Sequence, residues 1–95
     1  MAPIQDSEHA AVIARQRVDQ LARLAGDQFE ILPESTVEVE QGWVFFFNTV
    51  DFVRTRNPKT ALAGNGPLLV THDGQVHELP SAIPWRDALG SIKNR

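Results

Sequence analysis

The chain contains no cysteine. That excludes disulfides, thiolate nucleophiles and thiolate metal ligands, and it fits a reducing compartment. Basic residues are also scarce. Nine Lys and Arg stand against twelve Asp and Glu, for a net charge of −3 and a pI near 5.5. Nucleic-acid binders usually show a basic face, so this balance argues against one. No apolar run nears the roughly 20 residues of a membrane span. The start, Met1-Ala2-Pro3-Ile4-Gln5-Asp6, lacks the basic and apolar regions of a secretory signal. The expectation is a soluble, mildly acidic, cytoplasmic protein.

Catalytic signatures are missing as well. There is no Gly-x-Ser-x-Gly elbow, and Ser7, Ser35, Ser81 and Ser91 fall at expected caps, turns or helix ends. No catalytic residue, metal site or cofactor site is assigned, and the expectation is a protein that is not an enzyme.

Ninety-five residues suffice for one domain, taken as residues 1–95. A chain of this size buries roughly 60–65% of its unfolded surface, so its stability is modest. Ser7 is read as a helix cap, with Glu8 in the first turn suiting the helix dipole. Ala10, Ala14, Val18, Leu21 and Ala25 then recur every three or four residues, which specifies an amphipathic helix ended by Gly26.

Phe29 to Leu32 reads as a short strand ended by Pro33. Thr36 to Glu40 alternates β-branched and acidic residues, the mark of a strand with one wet side. Gly42-Trp43-Val44-Phe45-Phe46-Phe47-Asn48 is apolar on both faces up to its final residue, so it is expected at the centre of a sheet. Its second face would be covered by the C-terminal helix or by a partner. Val50 to Thr55 is either the end of a strand or a helical turn. Gly64-Asn65-Gly66-Pro67 must be irregular, because Pro67 cannot donate to a ladder. Leu68 to Thr71 and Val76 to Leu79 make a hairpin, read as a two-residue loop centred on Asp73-Gly74. Pro84 opens a final helix carrying Trp85, Leu89 and Ile92 on one face.

The fold class that follows is α+β: an antiparallel sheet of about four strands, an N-terminal helix across one face and a short C-terminal helix. The expected core is Val18, Leu21, Ile31, Trp43, Phe45, Phe47, Leu69 and Leu89.

Two constellations invite a chemical reading. His72, Asp73 and His77 lie around one hairpin, where they either bind a metal or are surface imidazoles; their spacing matches no metal motif. Glu30, Glu34, Glu38 and Glu40 fall within eleven residues without a Lys or Arg. They form either a solvated strand face or a surface for a basic partner. On the second reading, the partner-binding surface is Glu34, Glu38 and Glu40, with the hairpin tip His72-Asp73 as a second contact.

The stretch from about Phe29 to Leu89 resembles the bacterial immunity protein 35 family, the YrhB-like domain. The residues that carry the resemblance are Gly42-Trp43-Val44-Phe45, Ala63-Gly64-Asn65-Gly66-Pro67-Leu68-Leu69-Val70, Gly74 with Val76-His77, and Pro84 before the last helix. Members of that family usually show Gly-Thr after the hairpin, where this chain has Pro80-Ser81. The resemblance implies a protein that neutralises a cognate bacterial polymorphic toxin by binding it, without turnover. It implies no cofactor, and it leaves a homodimer open. A chaperone-like role, also attached to the YrhB-like group, is the alternative.

Overall fold

The computed structural model describes residues 6–62 and 66–90. Gly64 and Asn65 of the expected turn, and Ser91 and Ile92 beyond the last helix, lie outside the described residues.

Helix α1 spans Ser7–Ala25. Its cap is Asp6 and not Ser7: the Asp6 carboxylate accepts the His9 N–H at 2.8 Å. Gly26 ends the helix at φ 68°, as the sequence requires. The helix turns Ala10, Ala14, Val18 and Ala22 inward, and all four are buried. Three alanines among four contacts let the helix lie close to the strands beneath it.

The strands are β1 (Phe29–Ile31), β2 (Val37–Val39), β3 (Gly42–Phe45), β4 (Phe47–Thr49), β5 (Leu68–Thr71) and β6 (Val76–Glu78). Between β4 and β5 lies helix α2 (Val50–Thr55), and helix α3 (Trp85–Leu89) follows β6. All pairings are antiparallel. Four strands form one sheet in the order β2-β3-β5-β6, while β1 pairs with β4 alone.

The aromatic run is central, but it is not a single strand. Its first half, β3, lies between β2 and β5; its second half, β4, pairs only with β1. The break at Phe46 faces a turn on a neighbouring segment. A 3-10 turn at Pro33–Ser35 separates β1 from β2 on one side. On the other side β5 opens at Leu68, and the Pro67 carbonyl, facing away from β3, accepts the Leu79 N–H at 2.9 Å. Phe46 keeps one link across the break, its carbonyl accepting the Leu32 N–H at 2.8 Å.

Both faces of the sheet are covered. Trp43, Phe45 and Val70 pack beneath Ala10 and Ala14, and Phe47 and Leu68 beneath Val18. On the opposite face Val44 and Leu69 pack against Leu79, Ala88 and Leu89. Phe46 meets Trp85 edge-on, with ring centroids 5.9 Å apart. The C-terminal helix is thus what covers the second aromatic face. Each large side chain buried here contributes roughly 1.5–3 kcal/mol by leaving water.

Of the expected core, Leu21 and Ile31 are only half-buried. Val44, Leu68, Val70, Leu79 and Ala88 are core residues the periodicity did not single out. Thr49 is a buried polar residue that docks α2. Its hydroxyl oxygen accepts the Phe52 N–H at 3.0 Å and its O–H donates to the Thr60 carbonyl at 2.7 Å.

Candidate protein-binding surface

Two turns meet at one end of the four-stranded sheet. β2 and β3 are joined by Glu40–Gln41, since Val39 pairs with Gly42. β5 and β6 are joined by a three-residue loop, not the expected two. Thr71 donates its N–H to the Gln75 carbonyl and accepts the Gly74 N–H at its own carbonyl, both at 2.9 Å. The Asp-Gly pair therefore fills the second and third loop positions, and Gly74 takes the left-handed conformation at φ 86° that closes such a loop. The register Gly42↔Thr71 places the two turns side by side.

They are fastened together. The His72 N–H donates to the Gln41 carbonyl at 3.2 Å. The His72 ring lies edge-on to Trp43, 4.8 Å between centroids. The Gln41 side-chain amide donates to the Leu89 carbonyl at 3.4 Å. Gly42 lets the strands approach this closely: a Cβ there would overlap the Val70 carbonyl oxygen. Gly66 is similarly constrained, pressed against the Leu79 carbonyl.

This end is acidic. Glu38, Glu40 and Asp73 are all exposed. The Thr71 hydroxyl donates to the Asp73 carboxylate. That hydrogen bond, helped by the Gln75 N–H, holds the carboxyl below the ordinary aspartate value, so Asp73 is fully charged at neutral pH. Among the described residues, neither Glu38 nor Glu40 makes an ion pair.

Of the five residues expected to contact a partner, the structure gathers Glu40, His72 and Asp73 at one end, with Glu38 one pair further along β2. Glu34 is elsewhere. It belongs to the Pro33–Ser35 turn at the other end of β2, where its carboxylate lies 3.9 Å from the Arg56 guanidinium. Both side chains are more than half exposed there, so the pair contributes little. His72 is half-buried, and what it presents to solvent is partly spent on Trp43. Among the described residues, no three His, Asp or Glu side chains are placed to hold a metal ion. No helix among them is long and apolar enough to cross a membrane.

Sequence reasoning missed an apolar cleft of about 530 Å³ between the end of α1 and β4, floored by Leu21, Phe29, Phe47, Leu62 and Leu68. Leu24, beside it in sequence on α1, is 86% exposed. In sequence it flanks the apolar face of the helix, and only the docked geometry of α1 shows how far it is exposed.

A family model described as immunity protein 35 matches residues 8–89. An uncharacterized protein YrhB of Escherichia coli (strain K12) is 38% identical over 50 residues, which is 52% of this chain and 53% of that relative. The chain therefore spans about half the length of the curated relative it matches. No solved structure matches it.

Proposed function

Because the chain belongs to the immunity protein 35 family, we propose that it binds and neutralises one cognate bacterial toxin, acting in the cytoplasm as a single non-catalytic domain. The observation that carries this reading is the family match across nearly all of the described chain. The acidic end of the sheet supplies a contact surface. Its carboxylates are exposed, and Glu38 and Glu40 make no ion pair among the described residues. A basic surface on the toxin would complete them and be steered toward them. The proposed contacts are Glu38, Glu40, His72 and Asp73, with Glu34 reached by a toxin that extends along β2.

The test is genetic. Co-expression with the toxin domain encoded beside its gene should restore growth, and growth should be lost again when the chain is deleted. Absence of rescue, or the absence of any toxic neighbour, refutes the proposal.

The cleft, with the exposed Leu24 one residue before its lining residue Ala25, favours one second reading. An open apolar cleft can hold exposed apolar segments of unfolded clients, which is what a chaperone-like protein requires. Suppressed aggregation of a heat-denatured, unrelated protein would favour that role, and Leu24→Asp should weaken the effect. Toxin neutralisation predicts no such generality.

A further inference from the structure

We propose that the toxin docks by adding a strand to the outer edge of β2, and that the added segment is extended and alternates basic with apolar residues. The inference rests on the reading that the partner is a toxin protein.

The sheet order leaves β2 at an edge. A two-residue turn makes its flanking residues, Val39 and Gly42, exchange both of their backbone hydrogen bonds. Alternation then makes Val37↔Val44 the next such pair and Glu38↔Trp43 the open pair between them. The Glu38 N–H and C=O must therefore point away from β3. The far side of β3 agrees, since Gln41 bonds across to His72 there. Among the described residues, no strand lies against this edge.

Exposed edges are usually blunted by shortness, charged side chains (lysine above all), proline, a bulge or a covering element. β2 has no lysine, no proline and no bulge in its three consecutive pairs. What it has is one carboxylate, Glu38, which decides which strand can pair with it. A second copy paired antiparallel about Glu38 would set two Glu38 side chains directly opposite each other, and like charges so placed are destabilising. A strand with Lys or Arg at that position is favoured for the same reason.

The flanking residues define the rest of the match. Val37 and Val39 point to the other face and are half-buried, Val39 against the cluster of Leu89 and Ala88. Apolar side chains on either side of the basic one would extend that face. The opposite edge, β6, is less suited: its Glu78 carboxylate is already bound to Arg17 at 3.1 Å, and Pro80 follows closely.

A synthetic peptide alternating valine and lysine is the first probe, used with the wild-type chain. It should slow hydrogen exchange at the Glu38 amide and shift the resonances of β2. The same peptide N-methylated at alternate amides keeps its charge but cannot pair, and should bind about tenfold more weakly. Equal binding by both peptides, or shifts confined to another surface, would overturn strand addition. The toxin is the second probe. Proline is tolerated at an edge position whose N–H faces solvent. Glu38→Pro should thus leave the circular dichroism spectrum unchanged and abolish growth rescue, while Glu38→Gln, which keeps the N–H, retains part of it. Failure of the wild-type chain to rescue sinks the toxin reading itself. Full rescue by Glu38→Pro sinks strand addition alone.

Discussion

β3 and β2 are neighbours in one sheet, joined by the two-residue turn at Glu40–Gln41. Every residue of β3 is buried, on both faces. None of the three residues of β2 is buried, and its central side chain is an exposed glutamate. Two strands in continuous hydrogen-bonded register thus divide the work. β3 ties α1 to α3 through the sheet, and its aromatic and branched side chains are committed to that. β2 completes one edge of β3 and leaves the Glu38 carboxylate and its outer backbone groups unspent. In a domain this small, a strand that contributes little burial is where a binding surface can be altered without endangering the fold.

Substitutions can break or sharpen that division. The largest effect is expected at Gly42. Any Cβ there collides with the backbone of β5, which cannot retreat without opening the sheet, so Gly42→Ala should leave no cooperative thermal transition. Phe45→Ala removes a side chain only 1% exposed at the centre of the α1 face. It should cost about 3–5 kcal/mol by denaturant titration, most of the stability of a small domain. Asp6→Ala removes the cap of α1 and should cost about 1 kcal/mol on the same titration.

In β2 and the turn that follows it the expectation reverses. Glu38→Lys with Glu40→Lys should change stability by no more than about 0.5 kcal/mol, yet slow association with the toxin and flatten its dependence on salt. If the doubly reversed chain binds equally fast in low salt, the acidic edge is only a solvated strand face.

The smallest effect concerns Asp73. Its carboxyl should titrate below the ordinary 3.8, and Thr71→Val, which removes the principal hydrogen bond, should raise it toward that value. Because the folded value is the lower one, the contribution of Asp73 to stability is present above the unfolded value. It fades as pH falls from the unfolded value through the folded one. NMR titration of the side-chain carboxyl carbon reads this directly.

Much of the fold was legible in the chain. Ala10, Ala14 and Val18 announced α1, and the doubly apolar run at Trp43 announced the central strand. The sequence left open what covers the second face of that strand; Phe46 against Trp85 and Val44 against Leu89 answer it. The features that escaped depend on residues distant in sequence. The break at Phe46 faces the turn at Pro33–Ser35, on a flanking segment rather than in the run itself. The hairpin loop gained a residue because an Asp-Gly pair suits both loop lengths, and only the pairing of Thr71 with Gln75 separates them. Asp6 and Ser7 are both good caps, and their order in the sequence does not rank them.

The candidate surface was legible as charge but not as shape. Glu34 and Glu38 are four residues apart, yet the turn at Pro33–Ser35 leaves Glu34 with Arg56, while the register of β3 with β5 brings Glu40 beside Asp73. The open edge at Glu38 appears only once the pairing of β2 with β3 is known.

Neutralisation by contact is tested most directly by titrating the purified chain into its purified toxin domain, following heat and toxin activity together. Binding without turnover predicts that both saturate at one chain per toxin, more tightly in low salt than in high. A toxin that stays active at saturation, or one silenced by far less than an equivalent of the chain, would contradict it.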